Sequence, residues 1–373
     1  DNRLRFYDGK ILFPCRWKRS DGAPVELTLK PSTYDGRPWF LSFVDTNSRD
    51  QIQRPIQPGR QLESFAFLGS WNTFLSELAD KALPEDWDFS SSSQKDHYIL
   101  IQYIKYTFYR LKRENKVCIS RDRQFACFNT GLVDKHYDDI YACFVPNDPG
   151  SETEWKFSGF CTAASRTLGK QIVNCFNPLP QPPRYFEHGE QLFYDANRAL
   201  LTDFDHIIID NISRLPVQFL YDQFTDCEEA RTIVEELPTA DFRRKRELYE
   251  QLKTIVSDNS RLFIRIQNRL KDSIELAKKR VSRNYKTAIP SYYPKRNTMS
   301  LMLPLCLTDE ETPDIALVVE QTEAGNYQGQ TILTLPQAYV DARLLCQLNS
   351  EWLTTSKINS DENDEATEDI TTE

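Results

Sequence analysis

The pattern of apolar and polar positions predicts a chain that alternates between short strands and helices. In residues 1–60, three apolar runs are separated by Asp-Gly pairs, which favour tight turns between short strands. Between residues 64 and 114, apolar residues recur at spacings of three and four, which is typical of amphipathic helices. Residues 115–225 return to short β-branched or aromatic runs, HIIIDN at 206–211 among them, and these predict the strands of a sheet.

The longest helical pattern covers residues 239–284. The segment Asp258–Ser260 either interrupts it or caps a second helix that starts at Arg261. One face of that second helix is apolar, with Phe263, Ile266, Leu270, Ile274, Ala277 and Val281. Further along, prolines exclude helix, and LMLPLCL, IALVVE and TILTL predict core strands.

Together these elements predict an α+β fold, in which a mixed sheet carries a helical layer and follows a small β-rich N-terminal unit. We place the β-rich unit at residues 1–60 and the main domain at 61–356. Residues 357–373 contain seven acidic residues and one lysine, so we expect a disordered acidic tail.

Composition narrows the class of protein. With 40% hydrophobic residues, the chain can form a substantial core, and no apolar run is long enough to span a membrane. Nine cysteines are scattered, without a CxxC pair and mostly beside apolar residues, which favours reduced thiols over a zinc site. We therefore expect a cytoplasmic protein with no membrane partner, and its oligomeric state stays open.

Charge changes the interpretation of the second helix. The chain has a formal net charge of -9, yet residues 261–296 hold eleven Lys or Arg against two acidic residues. This block is either an ordinary solvated helix face or a surface for an anionic partner. Aromatic and amide residues follow the cations, and that mixture suits stacking on bases and contacts with phosphates. The candidate nucleic-acid or phosphate-binding residues are Arg261, Arg265, Arg269, Lys279, Arg283, Asn284, Tyr285, Lys286, Tyr292 and Tyr293.

Candidate catalytic residues are few, because the chain has only four histidines and no Walker loop, GxSxG or HExxH motif. If HIIIDN is a strand, alternation places His206 and Asp210 on one face, where they could share a proton or a metal. His136 lies among three aspartates, a composition that can hold Mg²⁺ but that ordinary solvated loops also have.

A glycine-containing turn is the third candidate feature. Asn129, Thr130 and Gly131 end a predicted strand, where a glycine lets the backbone approach a ligand. We assign no metal ligands, and the cofactor stays open. The aspartates around His136 make Mg²⁺ the candidate ion.

Eight blocks of this sequence resemble, in the same order, a family known as domain of unknown function 3825. The resemblance covers roughly residues 65–353 and implies a role connected with RNA, because members are often joined to cold-shock and other small RNA-binding domains. It supplies no catalytic residues. The blocks are FAFLGSWNTFLSELADKALPEDW, ILIQYIKYTFYRL, FNTGLVDKHYDDIYACFVPN, HIIIDNISRLP, NYKTAIPSYYP, LMLPLCL, DIALVVE and YQGQTILTLPQAYVDARLL.

Three functional hypotheses remain. The first is a module that binds RNA or single-stranded nucleic acid through the basic helix and the tyrosine-rich segment after it. The second is an enzyme, a hydrolase or nuclease, that acts on a phosphate-bearing nucleotide or on the phosphate end of an RNA. The third is an interaction scaffold with no ligand of its own.

Overall fold

A computed structural model describes most of the chain and divides it into two units, residues 1–56 and 57–373. In the first unit it describes four strands, and in the second unit it describes residues 57–90, 96–294 and 296–358. The predicted Asp-Gly turns of the first unit and the predicted tail from residue 359 onward lie outside the described residues.

The first unit contains an antiparallel sheet in which strands that follow each other along the chain are neighbours. Its strands are β1 (Arg5–Tyr7), β2 (Lys10–Lys18), β3 (Pro24–Pro31) and β4 (Trp39–Asp45).

The second unit contains two five-stranded sheets, where the sequence predicted one. The first sheet has the order β5-β9-β8-β7-β6, and β5 pairs in parallel with β9 while the other pairs are antiparallel. Its strands are β5 (Ala66–Phe67), β6 (Cys118–Ile119), β7 (Ala126–Val133), β8 (Asp139–Pro146) and β9 (Trp155–Cys161).

The second sheet has the order β10-β14-β13-β12-β11, and only β10 is parallel to its neighbour. The predicted runs LMLPLCL, IALVVE and TILTL fall on its three central strands, so these predictions are confirmed. Its strands are β10 (Leu200–Thr202), β11 (Ile289–Tyr293), β12 (Thr298–Leu305), β13 (Ile315–Gln321) and β14 (Tyr327–Thr334).

Nine α-helices are described in the second unit. They are α1 (Gln61–Phe65), α2 (Trp71–Lys81), α3 (Tyr98–Arg113), α4 (Leu168–Cys175), α5 (Val217–Gln223), α6 (Glu228–Glu236), α7 (Phe242–Asp258), α8 (Ser260–Arg283) and α9 (Leu335–Arg343). None of the described helices combines the length and the apolar composition needed to cross a membrane.

Strand alternation sorts the core into layers. On β12, Met302 points into the same core as α3 and α9, whereas Leu303 points into the core formed with α5–α8. On β7, Phe128 faces α3, whereas Cys127 packs beneath α4. Helices α3 and α9 therefore lie against the inner faces of both sheets, and these mixed sheets and helices confirm the α+β class.

The long basic helix forms as its pattern predicts. Asn259 caps α8, because its side chain accepts hydrogen bonds from the backbone N–H groups of Arg261 and Leu262. On the predicted apolar face, Ile266, Leu270, Ile274, Ala277 and Val281 are buried, and Phe263 packs partly buried beside them. Burial of this face fixes which cations can meet solvent.

Two sequence predictions need correction. The run HIIIDN is not a strand, because His206–Asp210 forms a π-helical turn in which Ile207 and Ile208 are buried. The larger unit also continues past the predicted boundary at residue 356, since Ile358 is only 2% exposed and packs in the core.

Candidate functional site

A polar cavity of about 470 Å³ lies over the inner face of the second sheet, a size typical of small-molecule sites. Its wall combines the π-helical turn, the end of β11, strands β13 and β14, and α9. The lining residues are Tyr106, His206, Asp210, Asn211, Ser213, Arg214, Ser291, Tyr293, Pro294, Arg296, Val318, Glu320, Gln330, Thr331, Leu333, Gln337 and Asp341.

A histidine–carboxylate pair lies at the exposed mouth of the cavity. His206 Nδ1 is 3.0 Å from Asp210 Oδ2, and the two side chains are 41% and 55% exposed. The hydrogen bond from His206 lowers the pKa of Asp210, and Lys253, whose Nζ lies 3.6 Å from Asp210 Oδ1, lowers it further. Asp210 is therefore ionised at neutral pH and can orient the imidazole ring.

The other ring nitrogen of His206 has a donor beside it. Asn211 Nδ2 donates to the His206 backbone oxygen at 2.9 Å and lies 3.3 Å from Nε2. With the proton on Nδ1 directed at Asp210, Nε2 is the acceptor. A histidine oriented in this way by a carboxylate can accept or donate a proton.

A second carboxyl group lies deep in the cavity. Asp341 on α9 is 8% exposed, and burial raises its pKa to about 8, an effect that the nearby Arg214 guanidinium partly offsets. Arg214 itself donates from Nη1 to Thr331 Oγ1 at 3.0 Å and to the Ile332 oxygen at 2.9 Å. Asp341 is therefore mostly protonated at neutral pH.

The remaining wall includes one further carboxylate, Glu320, and one further guanidinium group, Arg296. Glu320 accepts hydrogen bonds from the hydroxyl groups of Thr298 and Ser300 at 3.3 and 3.4 Å. The exposed Arg296 donates from Nη1 to Gln330 Oε1 at 3.4 Å. The cavity thus offers a guanidinium group at its mouth and both acidic and amide groups within reach of a ligand.

Two cations of the basic helix are engaged within the chain. Arg265 donates to the Gln223 oxygen at 2.8 Å and to Thr225 Oγ1 at 3.0 Å, and it forms an ion pair with Asp226. Arg269 donates to the backbone oxygens of residues 307 and 309 at 3.2 and 3.4 Å. Both guanidinium groups hold neighbouring loops, so the structure does not present them as the free phosphate ligands the sequence predicted.

The three tyrosines of the predicted set also differ in how far they are exposed. Tyr292 is 1% exposed, and its hydroxyl donates to Asn297 Oδ1 at 2.7 Å, so its ring cannot stack on a base. Tyr293 is half-buried and lines the cavity. Tyr285 is 58% exposed, and its ring lies 5.6 Å from that of Phe193, which is 52% exposed.

Several predicted cations remain on the surface. The exposed members of the predicted set are Arg261, Lys279, Arg283 and Lys286. Asn284 is half-buried, and its side chain accepts a hydrogen bond from the backbone N–H of Lys286 at 3.1 Å. Lys279, Arg283 and Asn284 border an open groove that also includes Trp352, at the C-terminal end of α8.

His136 is not part of the cavity. Asp134 Oδ1 accepts hydrogen bonds from the backbone N–H groups of His136 and Asp138, which makes this segment a turn stabilised by its own aspartate. Among the described residues, no group of three His, Cys, Asp or Glu side chains comes together to hold a metal ion.

The predicted glycine-containing turn lies within β7 and away from the cavity lining. Asn129 and Thr130 are fully buried and donate to the backbone oxygens of Pro180 and Ile140. Gly131 has φ +74° and would place a Cβ 2.6 Å from the Tyr103 hydroxyl oxygen, so glycine is needed for packing here. These contacts give the segment a structural role.

Four charged residues of the cavity were not among the candidates from sequence: Arg214, Arg296, Glu320 and Asp341, of which Arg296 ends the basic block 261–296. Of the other three, only Asp341 could have been noticed in the sequence, because it is an acidic residue inside the apolar run AYVDARLL. An acidic residue in such a helix is, however, usually interpreted as facing solvent. Arg214 and Glu320 follow no periodic pattern that distinguishes them from surface charges.

A comparison with family models matches residues 78–352 to a family described as a domain of unknown function (DUF3825). No curated protein and no solved structure matches the chain. The matched segment includes every residue that lines the cavity. Because the match covers more than half of the 373 residues, the chain belongs to the DUF3825 family.

Proposed function

We propose that the cavity binds a phosphate-bearing nucleotide, either free or at the end of a single-stranded RNA, and that His206 performs acid–base chemistry on it. The single observation that carries this proposal is the pair His206–Asp210 at the mouth of a polar cavity that also presents Arg296. Pockets with a few convergent polar groups and perturbed carboxyl groups are the sites where ligands and reactions concentrate.

The exposed mouth is the natural position for the phosphate. Arg296 can contact it with a planar, permanently charged group, which suits phosphate oxygens. His206 Nε2 then lies where it can take a proton from an attacking water or hydroxyl, or return one to a leaving oxygen. The reaction class this supports is hydrolysis or transfer at the phosphate, and any Mg²⁺ would come with the phosphate oxygens of the ligand.

The test combines binding and turnover. Mononucleotides and oligonucleotides with a 5′- or 3′-phosphate are incubated with the full chain, with and without Mg²⁺, and products are identified by mass spectrometry. We expect His206→Gln to abolish product formation while binding persists, and Arg296→Gln to weaken binding. Matched controls are His136→Gln, in the exposed turn, and Arg243→Gln, whose side chain is 90% exposed. Equal behaviour of the site variants and the controls would refute the proposal.

A second proposal concerns the surface at the C-terminal end of α8, where single-stranded nucleic acid can bind through cations and an aromatic ring. It is favoured by the exposure of Lys279, Arg283, Tyr285 and Lys286 beside one another. Such surfaces contact phosphates with cations and stack bases on aromatic rings.

Its experiment is a salt titration of oligoribonucleotide binding. Replacing Lys279, Arg283 and Lys286 by Gln should shrink the slope of log K against log salt by about two, at roughly 0.7 per phosphate contact on a single strand. A variant that keeps the wild-type slope and affinity would leave this surface as ordinary solvated charge.

We also propose that the protein works in the cytoplasm, where RNA and nucleotides are available. The eight cysteines of the described residues are free, which suits a reducing compartment.

A further inference from the structure

Asp341 is a largely buried carboxyl group in the cavity wall that accepts no hydrogen bond from the described residues. It is 8% exposed. Because Asp341 lines the cavity and accepts no hydrogen bond from the described residues, its carboxyl oxygens are available to a group that enters the cavity. The free carboxyl therefore points to a ligand that supplies the missing hydrogen bonds.

The surroundings of Asp341 control its protonation. Its own helix contributes no nearby counter-charge, because Arg343 is paired with Glu85. Strand β14 lines the cavity with Gln330 and Thr331, which do not titrate. The titratable or charged groups that line the cavity from the other elements are Tyr106 on α3, His206, Asp210 and Arg214 beside the π-helical turn, Tyr293 and Arg296 at the end of β11, and Glu320 on β13.

The two ends of the cavity differ in their exposure to solvent. Arg296 is exposed and the His206 side chain is 41% exposed, whereas Asp341 and Tyr106 are 8% and 2% exposed. A nucleotide whose phosphate meets Arg296 at the mouth would direct its base inward. The base edge would then meet Asp341.

We infer that Asp341, at the buried end of the cavity, recognises the base of the bound nucleotide by hydrogen bonds between its carboxyl group and a ring nitrogen with its adjacent amino group, as adenine or cytosine allows. The inference rests on the proposed nucleotide function of the cavity and names its ligand class. Enzymes that bind a single base in a pocket recognise it by hydrogen bonds to its Watson–Crick edge, which carries these groups.

The chemistry of the carboxyl distinguishes the bases. Burial raises the pKa of Asp341 to about 8, so the proton needed for donation is present at pH 7. Adenine and cytosine present a basic ring nitrogen, a strong acceptor for an acidic O–H. Uracil and guanine present an N–H at that position and a weaker carbonyl acceptor beside it. An ionised carboxylate would suit only guanine, which offers two adjacent donors.

The experiment measures the affinity of the full chain for AMP, CMP, GMP and UMP by calorimetry, with ribose 5-phosphate as the ligand that has no base. The pH runs from about 7 to about 9.5, above the second phosphate pKa of about 6, so the phosphate charge stays constant. We expect AMP and CMP to bind about tenfold tighter than UMP and GMP at pH 7, the discrimination of one good bidentate contact. Relative to ribose 5-phosphate, AMP and CMP should weaken above pH 8, whereas GMP should not.

Two variants separate recognition from folding. Asp341→Asn keeps a donor and an acceptor at the same place, so AMP should still bind and the pH dependence should disappear. Asp341→Leu removes both groups at similar volume and should lose the preference among bases. Because Asp341→Asn removes a buried ionisable group, it is expected to fold even if the leucine variant does not.

The outcomes are distinct. If all four nucleotides bind equally, or if Asp341→Asn keeps the wild-type pH dependence, Asp341 does not read the base. Weakened binding in Arg296→Gln would then still support the nucleotide function of the cavity. If neither nucleotides nor ribose 5-phosphate bind, the inference and the proposed function both fail.

Discussion

Arg343 and Glu85 form a buried bidentate ion pair that ties α9 to the segment before α3. Arg343 Nε and Nη2 lie 2.5 and 2.7 Å from the two carboxylate oxygens of Glu85, and the side chains are 6% and 8% exposed. The guanidinium group also lies 5.0 Å from the Trp87 ring centroid and 4.7 Å from that of Tyr103. Charge, hydrogen bonding and aromatic contact are thus combined at one position.

Breaking this pair should cost much more than breaking a surface pair. Arg343→Leu leaves the Glu85 carboxylate buried without a partner, which typically costs about 3 to 5 kcal/mol. Arg123→Leu removes the exposed pair with Glu154, whose side chains are 63% and 56% exposed, and should cost about 0 to 1 kcal/mol. Urea unfolding measures both free energies. Similar losses in the two variants would contradict a structural role for the buried pair.

The Asp341 carboxyl predicts a pH dependence of stability. Its pKa rises from 3.8 in the unfolded chain to about 8 in the folded chain, so between these values only the unfolded state has released the proton. Stability from this group therefore falls as pH rises from about 4 to about 8. The amide introduced by Asp341→Asn does not titrate, so the free energy of unfolding of this variant relative to wild type should rise with pH across that range, by at most about 1.4 kcal/mol per pH unit.

A control with the opposite sign is Asp226→Asn. The hydrogen bond from Arg265 lowers the pKa of Asp226, so this carboxylate stabilises the fold above its unfolded pKa, and that contribution is lost as pH falls. The variant should be less stable than wild type near pH 7 and should match it in acid. Thermal unfolding of the three proteins at several pH values checks both directions.

Arg265 on α8 should affect folding, not salt-dependent binding. Arg265→Gln leaves the Gln223 oxygen without its donor and breaks the pair with Asp226, so we expect a loss of about 1 kcal/mol. Arg261→Gln, at an exposed position on the same helix, should leave stability nearly unchanged. If Arg265→Gln instead keeps stability and lowers the salt slope of RNA binding, the guanidinium group is available to phosphate after all.

Thiol titration of the native protein should label few cysteines. Cys175 and Cys346 are exposed, whereas Cys127, Cys143 and Cys306 are buried. Buried thiols react only when the fold opens, so their labelling should wait for denaturant. The double variant Cys175→Ser, Cys346→Ser should lose the fast phase. A fast phase that survives in it would identify another accessible thiol.

The basic helix could be predicted from sequence because its determinants are local. A period of three to four residues identifies the apolar face, and Asn259 has a side chain that can cap the first turn. The same holds for the central strands of the second sheet, whose apolar runs are long enough to be unambiguous. Local sequence could not show which cations on α8 stay free, because Arg265 and Arg269 are engaged by loops about 40 residues away in sequence.

The sequence predicted correctly that His206 and Asp210 lie on one face, although it assigned them to a strand and they lie on a helical turn. A spacing of four residues places two side chains on one face of a strand and also brings them together along one helical turn. The short run of three isoleucines could not decide between the two structures, because short apolar runs fit both. The tertiary contacts that bury Ile207 and Ile208 decided for the helical turn.

The sequence by itself determined the α+β class, the long helices and the central strands, because periodicity and caps act within a few residues. Only the tertiary structure decided which charges are buried. Asp341 has the sequence context of a surface position, and its burial depends on contacts of α9 with α3, β11 and β13, which are separated from it along the chain. Because desolvation depends on every atom that packs around a group, no local pattern could predict it.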